Sequence, residues 1–293
     1  MALTSLPLLM LEPIVRAALL EDLGRAGDIT TDAIVPATLK AETALVARQA
    51  GVVAGLDAAS LAFRLVDPTI AVRADRPDGS RVQPGDRIAV IAGPARSVLT
   101  AERVALNFLG HLSGVASATA TLVEAVKGHK ARICCTRKTM PGLRSLQKYA
   151  VRAGGGVNHR FGLDDAVLIK DNHVAAAGGV AAAIRAARAG IGHLVKIEIE
   201  IDRLDQLDEA LAEKADAVLL DNMTPDQLAE AVRRIDGRAI SEASGRITPA
   251  TAPAIAASGV DLISAGWLTH SAQVLDIGLD WRSGAVEVRP VAA

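Results

Sequence analysis

The sequence predicts an α/β protein of two domains, and three observations carry that prediction. After Lys130, six short apolar stretches (ARICC, DAVLI, LVKIEIE, DAVLL, RAISEA and VDLIS) alternate with amphipathic segments and end in polar or glycine-rich loops. That rhythm belongs to parallel strands with crossover helices, closing into a barrel or something near one. Before about residue 110, strands and helices mix without strict alternation, as in an α+β unit. A chain of 293 residues, half of them hydrophobic, is also better divided between two cores than packed around one.

In chain order, residues 12–23 read as a helix with Pro13 in its first turn and Gly24 ending it. GDITTDAIV reads as a polar turn entering an extended piece, and KAETALVAR as a strand by its alternation. DAASLAFRLVD is an amphipathic helix, TIAVRA is extended, and the DG turn with VQPGDRIAVIAG predicts a hairpin-like strand pair. From Arg96 to about Lys127 the chain is rich in Ala and Leu and has no proline, giving one long helix or two with a break near Ser113-Gly114. Arg103 and His111 lie eight residues apart on it and share a face. The expected division is an N-terminal domain over residues 1–110, a barrel over 111–274, and a tail, 275–293, packing back on the first domain.

Composition removes several function classes. Aromatics are 2% and the net charge is −1, which argues against base-stacking surfaces and general polyanion binding, so no nucleic-acid partner is expected. The opening MALTSLPLLMLEP is apolar but short and lacks a basic leader; the expectation is no signal peptide, no membrane span and a cytoplasmic protein. The two cysteines, Cys134 and Cys135, are adjacent and supply neither a disulfide framework nor a four-ligand zinc site; packing is their expected role.

Chemistry in a barrel collects at the C-terminal ends of its strands. Here Arg137 and Lys138 follow ARICC, Lys170 follows DAVLI, Glu200 ends LVKIEIE, Asp221 and Asn222 follow DAVLL, Ser244-Gly245 follows RAISEA, and Ala265-Gly266 follows VDLIS. The segment from Thr136 to His173 is locally basic, with Arg137, Lys138, Arg144, Lys148, Arg152, His159, Arg160 and Lys170 against three aspartates. Of these, Arg144, Lys148 and Arg152 have helical spacing and read as surface or supporting charge. In LVKIEIE the alternation sends Ile197, Ile199 and Ile201 to one face and Lys196, Glu198 and Glu200 to the other, with Lys196 and Glu198 expected to pair inside the barrel. Two glycine turns on the last two strands suit a phosphate held on backbone N–H groups. Glu200 and Asp221 either hold one Mg²⁺ together with substrate oxygens or balance the cations. Arg recognises planar carboxylates bidentately and Lys serves phosphate as a point charge, so the rim fits a small, highly anionic substrate.

The stretches EDLGRAGDITT, AERVALNFLGHLSG, TRKTMPGLR, KYAVRAGGGVNHR, LIKDNH, LLDNM, EASG and GVDLISAGWLTHS, in this order from about residue 12 to residue 280, resemble the quinolinate phosphoribosyltransferase family, the carboxylating nicotinate-nucleotide pyrophosphorylases. The resemblance implies an N-terminal α/β sandwich domain and an open seven-stranded α/β barrel. It implies joining of quinolinate to phosphoribosyl pyrophosphate with loss of CO₂, giving nicotinate mononucleotide on the route to NAD, with Mg²⁺. It also implies a homodimer with shared active sites, any further assembly being left open. Carried over residue by residue, Arg137, His159 and Arg160 hold the quinolinate carboxylates, with Arg103 arriving from the partner. Lys138 and Lys170 face substrate and pyrophosphate, Glu200 and Asp221 take ribose hydroxyls and Mg²⁺, and Ser244, Gly245 and Gly266 cup the 5′-phosphate. Cys135, Gln147 and Gly110 depart from the family pattern, where Asp, Glu and Gln are usual. Three other readings compete: the molybdenum-transport-associated paralogue, which the GGGVNHR and LIKDNH pair disfavours, a Schiff-base barrel aldolase using Lys170 or Lys196, and a non-catalytic anion-binding protein that holds quinolinate or phosphoribosyl pyrophosphate without turnover.

Overall fold

The computed structural model describes residues 3–281. Among them the chain divides into two compact units: those up to Ala118, Met140–Gly154 and those from Ser271 form the first, and Thr119–Thr139 with Gly155–His270 form the second.

The first unit is built on an antiparallel sheet in the order Ile277–Trp281, Lys40–Ala47, Arg87–Pro94, Ala71–Ala74. The strands on either side of the DG turn, Ala71–Ala74 and Arg87–Pro94, pair antiparallel as a hairpin-like pair. The short Arg81–Val82 piece between them pairs with Gly51–Val52 instead, since period-two patterning marks a strand without naming its partner. The expected polar turn at 27–35 contains a helix, Ile29–Ile34, because Asp28 caps it by accepting the Thr31 N–H at 2.9 Å. The first helix runs over Leu8–Leu23, so Pro13 lies inside it and not in its first turn. Of the tail expected to pack on this unit, Ile277–Trp281 is its edge strand; residues 282–293 lie outside the described residues.

The helix Ala95–Ala125 is continuous through Ser113-Gly114. Those residues serve lateral contact rather than a break. The Ser113 hydroxyl accepts the Ala54 N–H at 3.0 Å, and a Cβ on Gly114 would lie 2.0 Å from the Gln273 carbonyl oxygen. Gly110 has the same use, since a Cβ there would sit 2.9 Å from Val274, while its carbonyl accepts the Leu275 N–H at 3.0 Å. The segment expected to carry supporting charge forms a helix, Arg144–Ala153, that belongs to this unit. Lys148, read as surface or supporting charge, is fully buried. Gln147 is buried too, accepting the Met140 N–H at 3.0 Å and donating to His111 Nε2 at 2.9 Å. Tyr149 donates to Asp78 at 2.7 Å, and Asp78 also accepts the N–H groups of Gly55 and Leu56.

The second unit is a six-stranded sheet, every pairing parallel, in the order Arg132–Cys134, Leu262–Ser264, Ile240–Ser244, Ala217–Asp221, Ile197–Ile201, Val167–Ile169. All six stretches read as strands are strands. An isolated parallel bridge from Cys134 to Val157 stands where a seventh strand would run, and no ladder joins the two edge strands among the described residues, so the barrel is open. The helix Pro225–Ile235 shows the local logic of the crossovers. Thr224 and Gln227 cap it reciprocally, Pro225 occupies the first turn, and Leu228, Ala231 and Ile235 are buried. Ile197, Ile199 and Ile201 are buried at alternate positions. Among the described residues no helix is long and apolar enough to cross a membrane.

The Tyr149 hydroxyl ties its helix to a half-turn of backbone through Asp78, so Tyr149→Phe should destabilise the protein by about 1–3 kcal/mol, measured by urea unfolding. A change below about 0.5 kcal/mol would show the bond to be energetically idle.

Candidate active site

Strand alternation decides which side chains meet. In the second unit, Leu168, Glu200, Leu219, Asp221, Glu242, Ser244 and Ser264 line one cavity of about 430 Å³, together with Thr136, Arg137, Lys138, His159, Arg160 and Lys170 from the connecting segments. Along each strand the contributors are two residues apart. Across strands, Ser244 stands opposite both Asp221 and Ser264, and Glu242 opposite Leu219. The cavity is therefore at the C-terminal ends of the strands, where the sequence placed it. A second cavity of about 450 Å³ lies among residues at the opposite strand ends. Lys130 pairs with Asp261 there at 3.0 Å and Lys196 with Asp216, so these cations are spent on holding strand starts.

Of the residues expected at the site, Arg137, Lys138, His159, Arg160, Lys170, Glu200, Asp221 and Ser244 line the first cavity. Gly245 and Gly266 are not among the lining residues; Gly245 follows Ser244, which is, and Gly266 packs against Lys138. A Cβ on Gly266 would meet Lys138 Cδ at 2.8 Å, so that glycine leaves room for the lysine stem. Lys138 is also tethered through its backbone, its carbonyl accepting from the Thr269 hydroxyl at 2.8 Å and its N–H donating to Thr136 at 3.0 Å. Gly245 has φ +102°, and a Cβ there would lie 2.2 Å from Asn222 Oδ1. Asn222 is itself left-handed, at φ 54°, with its N–H on the Ser244 carbonyl at 2.9 Å and its side-chain amide on Asp221 at 2.6 Å. The two strand ends are thus locked together by conformations only Gly and Asn adopt cheaply. Arg103 is exposed on the helix Ala95–Ala125 in the first unit and is not among the residues lining this cavity.

The electrostatics are unevenly settled. Lys170 is ion-paired with Glu200. Arg160 donates to the Ala166 carbonyl at 3.0 Å, but its Nε, like that of Arg137, is buried without a hydrogen-bond partner. Burial and the neighbouring Arg137 cation both pull the Arg160 guanidinium below its ordinary pKa. Two guanidinium groups with unmade bonds in one cavity make a receptor for an anion. The expected Lys196–Glu198 pair does not form, because Lys196 lies at the strand start beside Asp216 while Glu198 faces His159 Nε2 at 2.8 Å. The Arg160 backbone N–H donates to His159 Nδ1 at 2.8 Å. That bond places the ring proton on Nε2, directed at Glu198.

Sequence reasoning missed Glu242, Thr136 and Ser264 in the cavity wall. Glu242 is 1% exposed, and Oε1 has no hydrogen-bond partner. Burial, and then the charge of Glu198, push its carboxyl up to about 7, against the opposing pull of His159 and Ser264. The signal was available: Glu242 sits two residues before Ser244 in a strand already read as ending at the site, and so shares its face.

Two family models cover this geometry, the quinolinate phosphoribosyl transferase N-terminal domain over residues 28–113 and the C-terminal domain over 115–280. The chain belongs to the quinolinate phosphoribosyl transferase family. Within the family it is 49% identical over 274 residues to the nicotinate-nucleotide pyrophosphorylase [carboxylating] of Mycobacterium leprae, covering 91% of this chain and 95% of that one. It is 43% identical over 272 residues to the probable counterpart in Bacillus subtilis, covering 93% of each. Among solved structures, NadC from Streptococcus pyogenes superposes with a TM-score of 0.91 at 42% identity, over 96% of this chain and all of that one. The Francisella tularensis nicotinate-nucleotide pyrophosphorylase gives 0.92 at 38% identity, over 96% and 99%.

Gly245→Ala should lower stability by about 1–3 kcal/mol, since both the backbone conformation and Asn222 must give. Gly266→Ala displaces the flexible Lys138 stem and presses lightly on the Thr136 hydroxyl at 3.3 Å, with no left-handed backbone to strain, and should leave the unfolding midpoint near that of the parent. Equal midpoints for the two variants would contradict this account of the strand ends.

Proposed function

We infer that this chain transfers the phosphoribosyl group of phosphoribosyl pyrophosphate to quinolinate and releases CO₂, forming nicotinate mononucleotide and pyrophosphate in NAD biosynthesis. The observation that carries the reading is a single cavity holding four cations, Arg137, Lys138, Arg160 and Lys170, in which two buried guanidinium Nε–H groups lack acceptors. A planar dicarboxylate supplies acceptors of the right geometry. The family membership of the whole chain supports the same chemistry.

In this reading Arg137 and Arg160 take the quinolinate carboxylates, with His159 beside them, held by Glu198. Lys138 and Lys170 face the pyrophosphate, and Ser244 with the backbone at Gly245 and Gly266 receives the 5′-phosphate. The pyridine nitrogen attacks the anomeric carbon as pyrophosphate leaves, so positive charge builds on the sugar and negative charge on the leaving group. Little covalent help is needed. Fixed cations and a rigid rim of strand ends lower the barrier by positioning and electrostatics. Once quaternised, the ring nitrogen stabilises the carbanion left at C2 when the adjacent carboxylate departs as CO₂.

Glu200 and Asp221 are carboxylates on one cavity wall, a donor set that fits Mg²⁺, a cation that takes one or two carboxylates and completes its shell with water and phosphate oxygens. The ion would neutralise the leaving pyrophosphate. We also propose a homodimer in which the partner's Arg103 completes the quinolinate site. That proposal is supported by the exposure of Arg103 and by the family membership of the chain. Two buried cysteines without a disulfide suit a cytoplasmic protein.

Purified protein supplied with quinolinate, phosphoribosyl pyrophosphate and Mg²⁺ should release CO₂ and form nicotinate mononucleotide, and chelation with EDTA should abolish both. Binding of the two substrates without product would refute the enzymatic reading. Mixing Arg103→Ala with Lys170→Ala protein, each inactive alone, should restore up to about a quarter of the parent activity, because half of random dimers then carry one intact site. No recovery while subunits demonstrably exchange would remove Arg103 from the site.

A further inference from the structure

His159, Glu198 and Glu242 bring one ligand atom each to within 4.8 Å of one another. A cation between them is the obvious suggestion, but the hydrogen bonding opposes it. His159 Nδ1 accepts the Arg160 N–H at 2.8 Å, so Nε2 bears the ring proton and has no lone pair to offer a metal. The cluster must settle its charge another way. His159 Nε2 is 2.8 Å from Glu198 and 3.8 Å from Glu242 Oε1, so only Glu198 is within hydrogen-bonding reach. Glu242 is the more deeply buried of the two, with a side chain 1% exposed against 12% for Glu198, and its Oε1 is without a partner. An ionised carboxylate in that position would be desolvated and unpaired at Oε1. A carboxylic acid there offers an O–H instead.

Glu242 lines the same cavity as Arg137 and Arg160. The proposed reaction needs a proton at that place. When the C2 carboxylate leaves as CO₂, the C–C electron pair stays on C2, and C2 must take up one H⁺ from outside the substrates. The other carboxylates of the cavity wall are tied to donors, Glu200 to Lys170 and Asp221 to the Asn222 amide. We propose that the protonated carboxyl of Glu242 is the acid that delivers this proton to C2, an assignment that rests on the quinolinate reading above. The O–H bond of Glu242 breaks as the C2–H bond forms, the O–H electron pair remains on the carboxylate, and solvent reprotonates Glu242 after the product has left. The groups facing Glu242 are Ser264 from the adjacent strand, Glu198 from the strand two away, and His159 and Cys135 from the connecting segments; Arg137, Lys138, Arg160, Lys170, Glu200 and Asp221 share its cavity. A carboxyl raised to about 7 is largely protonated below that pH and loses its proton above it.

The test compares Glu242→Gln with the parent enzyme in CO₂ release and nicotinate mononucleotide formation at saturating substrates. Gln keeps the shape and a donor but cannot surrender a proton, so kcat should fall about 100-fold or more while KM for quinolinate changes less than about threefold. The parent kcat should decline as pH rises through about 7, and the residual rate of the variant should lack that limb. A variant with parental kcat, or one that loses only affinity for quinolinate, overturns the proposal. If Glu242→Gln does not fold, the parent profile decides: a kcat constant from about pH 6 to about pH 9 overturns it as well. A parent enzyme that makes no nicotinate mononucleotide at any pH sinks the underlying reading, an outcome distinct from an active enzyme indifferent to Glu242.

Discussion

Charge buried inside a parallel sheet is the constraint on which the second unit depends. A strand such as Ile197–Ile201 can hide its isoleucines against helices only by sending Glu198 and Glu200 to the other face. There each carboxylate must find a partner or give up its charge. Glu200 finds Lys170 and Glu198 finds His159, whereas Glu242, one strand beyond Leu219, has no hydrogen-bond partner at Oε1. The core and the site are therefore two consequences of one alternation. Packing on one face obliges polar chemistry on the other.

The backbone carries a comparable load at the rim. Asn222 at φ 54° and Gly245 at φ +102° close two adjacent strand ends on each other, with the Ser244 carbonyl bonded to the Asn222 N–H between them. Such conformations persist where the surroundings over-determine them, and they hold Asp221 and Ser244 in fixed relation. A reaction driven by placement of charge gains from that stiffness, because the cations and carboxylates need not reorganise as charge moves. The same economy explains the chain's sparing use of nucleophiles: neither a triad nor a reactive thiol is needed when the ring nitrogen of the substrate is the attacking group.

Much of this was legible in one dimension. The six barrel strands were readable because short apolar runs between glycine-rich loops have few other physical uses, and the residues just past them (Arg137, Lys138, Lys170, Asp221) follow from the rule that a barrel works at its C-terminal rim. What failed were partners. Lys196 was assigned to Glu198, yet it lies a strand-length from the rim and meets Asp216. For Lys148 the helical spacing left surface and supporting charge both open, and its full burial in the first unit removes the surface alternative. The helix Ile29–Ile34 was hidden because Asp28 and the threonines that cap and begin it are also what a turn would use.

The sequence by itself determined which segments are strands and helices, which face of each is apolar, and the order in which chemistry-bearing residues reach the rim. All of these depend on spacing along the chain, and periods of two and 3.6 residues are local quantities. Only the tertiary structure decided that residues 140–154 join the first unit, that His159 is held between the Arg160 backbone and Glu198, and that Glu242 is buried in the cavity wall with one oxygen unpaired. These are matters of register and desolvation between segments far apart in the chain. No local pattern encodes them, because the free energy of a buried charge is set by everything around it at once.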